Sequence, residues 1–379
     1  MMDNQLRLLN GFISGKSYSK SISSTTVSLG ILFVVATFFV IYSISYGISQ
    51  AFAQGEGIDN IMVGPNPRDV VYDHANHNMY VTNKGSGTVS VIDSESNDVV
   101  DTITVGGDFL VGIAYSPVNG NIYVVDQSSN TVSVIDSESN DVVDTITVGQ
   151  FPYEIAYNPS NGNMYVANSN AESVSVIDKN NDVVDTITVG QFPWGIAYNP
   201  SNDNMYVANQ DSGTVSVIDS DTNEVTATIP VGDTPRGIAY NPSNHNMYVA
   251  YDSNTVSVID SESNDVVDTI TVGDIPYALA YDPNNHNMYV VNFNSDTVSI
   301  IDKNNDVVDT ITVGDGPSEI AYNPSNHNMY VVNFNSDTVS VIKVAAEQQH
   351  ICNILDQLTS EDALKLGKLL GCLGIHLKF

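Results

Sequence analysis

Residue types that recognise ligands, scarce elsewhere in this 379-residue chain, meet at one recurring position. After a proline (Leu110 in one case) stand Arg68, Val111, Tyr153, Trp194, Arg236, Tyr277 and Ser318. They include the only tryptophan and every arginine but Arg7. Arginine and aromatic side chains are what binding surfaces concentrate, and in an acidic chain arginine is the group to hold an anion. The next position carries Asp69, Gly112, Glu154, Gly195, Gly237, Ala278 and Glu319. Brought together, its three carboxylates could hold a divalent metal for hydrolysis. The plainer role is pairing with Arg68 or Arg236, or simple solvation. Arg68, Tyr153, Trp194, Arg236 and Tyr277 are thus ligand-binding candidates, and Asp69, Glu154 and Glu319 are metal candidates.

These positions recur because the chain is a repeat. Tyrosines 72, 115, 157, 198, 240, 281 and 322 mark seven copies spaced 41 to 43 residues apart. In the third copy, Ile155–Tyr157 reads as a strand, followed by the turn formers Asn158, Pro159, Ser160, Asn161 and Gly162. Residues 164–168, the alternating run 173–177 and the β-branched run 183–189 supply three more strands. Four strands in about forty residues leave no room for a helix, and this period belongs to a propeller blade. The seventh copy stops at Lys343-Val344, before its last strand, while Asp59–Gly64 upstream of the first copy has that strand's pattern. The expected fold is all-β: a seven-bladed β-propeller over 54–344, with four-stranded antiparallel blades, whose N-terminal strand completes the last blade.

The second strand of the first copy spells Tyr80-Val81-Thr82-Asn83, and other copies give YVAN (from Tyr165 and Tyr206) and YVVN (from Tyr289 and Tyr330). The chain resembles the YVTN-repeat β-propellers, over roughly residues 58 to 344. The resemblance implies a surface or secreted propeller of the archaeal cell-envelope type, with blades laid out as in NHL-type propellers. That layout implies that the Arg/aromatic loop enters the innermost strand at the mouth of the central channel. It implies no single activity. Asp126 and Tyr251 depart from the final asparagine of the motif.

Histidines 77, 245, 286 and 327 share one position in the turn after the first strand, replaced by Gly120, Gly162 and Asp203 elsewhere. That exchange suits a turn residue better than a metal ligand. No G-x-S-x-G elbow, G-x-x-x-x-G-K loop, H-E-x-x-H or C-x-x-C-H occurs, and the repeated region has no cysteine. The stretch Asp219–Glu224 comes nearest to a calcium loop but lacks its glycine and later glutamate.

Acidic residues outnumber basic ones 44 to 12, giving a net charge of −32, which disfavours nucleic acid and anionic lipid as partners. Residues 1–53 read as an exported leader or an N-terminal membrane anchor. Arg7, Lys16 and Lys20 precede an apolar, helical run from Val27 to about Tyr46, and Ala51-Phe52-Ala53 offers a cleavage site. Membrane contact is expected only through this segment, and only if it is uncleaved. Residues 345–379 read as a short helical tail carrying Cys352 and Cys372, which an oxidising exterior would permit to pair. The tail's expected role is a packing cap or an oligomerisation helix. The function expected from all this is an extracellular or cell-surface binding scaffold. It would present its Arg/aromatic mouth to a protein, glycan or small polar ligand, without a cofactor. The alternatives are a metal-dependent, lactonase-like hydrolase using the channel carboxylates, and a redox-partner subunit.

Overall fold

The structure is a computed structural model and describes residues 58–344. The leader or anchor, the tail and its two cysteines lie outside those residues. Twenty-eight strands form seven separate four-stranded sheets, each antiparallel. Blade 1 spans 67–104, blade 2 110–147, blade 3 152–188, blade 4 193–230, blade 5 235–271 and blade 6 276–312. Blade 7 takes three strands from 317–343 and its outer strand from Asp59–Met62. Asp59 pairs with Val341 and Met62 with Thr338, so the upstream segment closes the ring as its sequence implies.

Burial along each blade follows its distance from the axis. The second strand is buried on both faces, since Met164, Tyr165, Val166, Ala167 and Asn168 all lie between neighbouring blades. The outer strand, for example Val99–Thr104, buries only its isoleucine. Each core cluster joins two adjacent blades: Tyr123, Val125, Val132 and Val134 of blade 2 pack on Ile155, Met164, Val166 and Ile177 of blade 3. No blade has a core of its own, which is why the copies stabilise only as a ring.

The repeated polar residues tie the blades together. Tyr80, Tyr123, Tyr165, Tyr206, Tyr248 and Tyr330 each donate a hydroxyl to an asparagine in the next blade's outer turn. The distances run from 2.5 Å for Tyr248 to Asn305 to 3.4 Å for Tyr206 to Asn264. Asn140, Asn181, Asn223 and Asn305 in turn donate to Asp101, Asp144, Asp185 and Asp268 of the preceding blade. The asparagine that ends the motif works within its blade: Asn83 Nδ2 donates to Thr88 and Ser90 at 3.1 and 2.9 Å. Gly64 must lack a side chain, because a Cβ there would lie 2.5 Å from Asn83 Cγ. Where Asp126 replaces asparagine, it instead accepts hydroxyls from Ser128 and Ser129.

Candidate functional site

Each innermost strand breaks its pairing register at the two variable positions. Between Pro67 and Val70, Leu110 and Ile113, Pro152 and Ile155, Pro193 and Ile196, and Pro235 and Ile238 the ladder shifts. Blades 6 and 7 shift between Pro276 and Ala278 and between Pro317 and Glu319. A bulge leaves its residues outside the ladder and re-aims their side chains. Here the released side chains line one cavity of about 150 Å³. This explains why these positions vary while the flanking ones repeat.

The upper ring closes on itself. Tyr153 packs on Trp194 with ring centroids 3.8 Å apart and planes tilted by 40°, and Tyr277 meets Trp194 edge-on at 5.8 Å. The Arg236 guanidinium lies over Trp194 at 4.9 Å and over Tyr277 at 4.6 Å. Arg68 sits over Tyr277 at 4.5 Å and Tyr153 at 5.3 Å, and donates a short hydrogen bond to the Tyr153 hydroxyl. Four of the five candidate ligand-binding residues (Arg68, Tyr153, Trp194 and Tyr277) therefore line the cavity and, with Arg236, form a mutually packed lid. Trp194 is a packing residue in this arrangement. Trp194→Ala should lower unfolding free energy by about 2–3 kcal/mol, read by urea denaturation. A loss below about 0.5 kcal/mol would show the lid to be loosely held.

The two arginines have different partners. Arg236 is clamped by Asp252, with Nε 2.5 Å and Nη2 3.0 Å from its carboxylate oxygens. Arg68 is 8 % exposed, and among the described residues no carboxylate forms an ion pair with it. Its nearest contacts are phenols: it donates to the Tyr153 hydroxyl and lies over the Tyr277 ring. The ion pairs of the ring are otherwise few: Lys343 meets Asp59 at 2.9 Å.

Asp69, Glu154 and Glu319 meet in the level below, from blades 1, 3 and 7. Asp69 accepts backbone N–H groups from Val70 at 2.6 Å and from Ile113 of blade 2 at 2.7 Å. Burial raises its pKa from 3.8 to about 6, held there by those two amides, by Glu154 and by Arg68. Burial, together with the charge of Asp69, pushes both Glu154 and Glu319 well above the ordinary carboxyl range. Burial alone would raise the Tyr277 hydroxyl, but Arg68 and Arg236 bring it below its usual value.

Steric room explains why blades 2, 4 and 5 carry glycine at this level. A Cβ on Gly112 would lie 2.7 Å from the Tyr153 carbonyl oxygen, and one on Gly195 or Gly237 would strike the next blade's backbone. Among the described residues no group of three or more His, Cys, Asp or Glu side chains is arranged to hold a metal ion. Asp69 uses its carboxylate to accept backbone amides of two blades.

The four histidines lie at the far end of the same strands, and each serves the tyrosine five residues earlier. Nδ1 of His77, His245, His286 and His327 is 2.6 to 2.9 Å from the hydroxyl of Tyr72, Tyr240, Tyr281 and Tyr322. All four take positive φ, 62–65°. Asp203 at the same position bonds to Tyr198, which accounts for the exchange of histidine for aspartate. Asp219 Oδ1 accepts amides from Asp221 and Thr222, an ordinary turn.

A family model described as lactonase, 7-bladed beta-propeller, matches residues 113–228. The chain is a seven-bladed β-propeller. A structure of hydrazine synthase from Kuenenia stuttgartiensis superposes with a TM-score of 0.69 at 20% identity, covering 75% of this chain and 97% of that one. Virginiamycin B lyase from Staphylococcus aureus superposes at 0.67 with 11% identity, covering 76% and 99%. Such likenesses speak to the fold. No curated protein matches the sequence. The matched residues include Tyr153, Glu154 and Trp194 but not Arg68, Asp69, Arg236, Tyr277 or Glu319.

Two features of the site were not read from the sequence: the bulges and the partnership of Arg236 with Asp252. The only sequence signal of the bulges was the loss of repetition at two adjacent positions. That of the ion pair was a coincidence within blade 5, the only copy with both an arginine at the lid position and an aspartate at its partner's.

Proposed function

We propose that this propeller is an exported, envelope-facing binding module that takes a small organic anion into the cavity beneath its lid. The observation that carries the reading is Arg68, a buried cation lining a cavity of about 150 Å³ with no carboxylate paired to it among the described residues. Burying a cation with no direct ion pair is costly, and an anion bound beside it would relieve that cost. Glu154 and Glu319, whose burial disfavours their charged forms, line the same wall, while Val111, Ile113, Ile196 and Ile238 add apolar surface. That combination suits a short-chain carboxylate, and the size excludes a drug-sized ligand. A lid surface built from arginine and aromatics also suits contact with an envelope protein or glycan.

Titration calorimetry with acetate, propionate and succinate at pH 5.5 and 7.5 tests the reading. Binding should strengthen as pH falls through about 6, because protonation of Asp69 removes the nearest negative charge. Arg68→Gln should weaken it by roughly ten- to a hundredfold. Binding that ignores Arg68→Gln, or no binding at either pH, overturns the proposal.

A second reading, lactone hydrolysis, is favoured by the lactonase match and by the carboxyl pair. Asp69 would take a proton from the attacking water and Glu154 would give one to the departing ring oxygen. Turnover of simple lactones that is lost in Glu154→Gln would establish it.

A further inference from the structure

Five phenylalanines occur among the described residues, and all five lie on the face that carries the arginine and aromatic lid. Phe109, Phe151 and Phe192 end the loops that enter the inner strands of blades 2, 3 and 4, while Phe293 and Phe334 follow the second strands of blades 6 and 7. Backbone bonds hold these two loop positions side by side: Phe293 N donates to Ile275 O and Phe334 N to Gly316 O, both at 2.9 Å. The core clusters between blades contain none of the five. Arg68, Lys84 and Arg236, half of the six cations among the described residues, share this face.

Two of the rings are held at a cost. The residue before the inner-strand proline takes positive φ in six blades, and Asn66 and Gly316 are the types that accept it readily. Phe151 and Phe192 take φ of 55° and 53° there, and Phe151 is still 36 % exposed. A strained backbone that presents a large apolar ring to solvent points to recognition rather than packing. The rings also run as an arc. Centroids step 6.3 Å from Phe151 to Phe192, 6.1 Å to Trp194, 5.8 Å to Tyr277 and 5.4 Å to Phe293. Elsewhere on the face Lys84 lies 4.6 Å from the Phe109 ring and 6.0 Å from that of Phe334.

Charge decides the class of partner. Asp108, Asp211, Asp233, Asp274 and Asp315 stand exposed in the same loops and repel a polyanion. Arg68, Lys84 and Arg236, set among the rings, repel a polycation. An uncharged partner must then bring hydrogen-bond donors, because ionised carboxylates only accept. It must also bring C–H faces for the aromatic rings, whose π faces are negative. A neutral sugar has both.

We infer that this face binds a neutral glycan chain, its sugar rings lying along the aromatic arc and its hydroxyls donating to the surrounding aspartates. The inference rests on the reading of the lid face as a recognition surface, and not on the small carboxylate beneath it.

Trp194, the only tryptophan of the chain, stands within the arc and reports on it. Titrating the full chain with cellohexaose, maltohexaose, mannohexaose and N-acetylated chitohexaose should change its emission saturably with at least one of them. Hexagalacturonate and hexaglucosamine should bind more weakly than that one. F151N/F192N copies the residue that the ring already carries at Asn66, and should weaken binding roughly tenfold or more by calorimetry. Its melting temperature should hold within about two degrees or rise, because asparagine accepts this backbone more easily. No response to any of the four neutral hexaoses overturns the inference and leaves the face to a protein. Binding that survives F151N/F192N, or tighter binding of either charged hexamer, overturns it too. A larger fall in melting temperature does the same, since the rings would then be packing residues. Calorimetry with acetate, propionate and succinate reads the cavity separately, so either reading can fail without the other.

Discussion

Deleting Asp59–Met62 should cost the propeller about 5 kcal/mol or more, a large part of the stability of an ordinary domain. The strand contributes four paired residues to blade 7, the burial of Ile61, the Asn60–Ser340 hydrogen bond and the Lys343–Asp59 ion pair. Net backbone hydrogen bonds at about 1 kcal/mol each, plus about 2 kcal/mol for the isoleucine, reach that figure. The exposed ion pair adds little. The deletion also bares an otherwise buried edge, Thr338–Lys343, which invites pairing with another chain. A lower melting temperature by ten degrees or more, with new dimers in sedimentation, is the expected outcome. A melting curve unchanged within two degrees would mean that the ring holds without its closing strand.

Stability should fall as pH rises from about 4.5 to 8, the reverse of most acidic proteins. Asp69, Glu154 and Glu319 have folded pKa values raised above their unfolded ones, so the folded state holds more protons in this range. Their contribution is complete below about 4 and is lost as pH climbs through 6 and beyond. For Asp69 alone, the rise from 3.8 to about 6 corresponds to about 3 kcal/mol. The turn aspartates Asp93, Asp219 and Asp260 work in the opposite sense. Hydrogen bonds from backbone amides depress them, so their smaller contribution disappears only under strong acid. Glu154→Gln with Glu319→Gln should flatten the alkaline decline and leave pH 4.5 nearly unchanged, read by urea midpoints across that range. A parent protein that gains stability between pH 5 and 8 would show these carboxyls to be ionised and well accommodated.

The strands, the blade count and the closure were legible because they rest on local chemistry repeated seven times. Alternation in Ser173–Ile177, turn formers at Asn158–Gly162 and the orphan strand at Asp59 each announce themselves within a few residues. The channel residues were legible by position, since Arg68, Tyr153, Trp194 and Tyr277 do line one cavity with Asp69, Glu154 and Glu319. Their environment was not. Whether a ring of aromatics stands open or packs into a lid depends on the channel's width, which no single copy encodes. The glycines at 112, 195 and 237 record that width, yet their meaning appears only when the next blade's backbone is in place. The pairing of His77 with Tyr72 was within reach, because aspartate and histidine alternate at a fixed distance from a tyrosine.

The six tyrosine-to-asparagine ties among the described residues all run the same way around the ring, from a blade to its successor. The two faces of a blade are therefore different, one presenting the tyrosine and the other the asparagine, and the contact between them is head-to-tail. Such a contact is indifferent to how many units have been joined. A tandem duplication of one 42-residue unit would satisfy every new tie, and only the angle between blades would object. The ring size is thus set by wedge shape, while the hydrogen bonds set polarity. A chain cut between any two blades would present complementary ends, so two fragments should find each other and rebuild the circle.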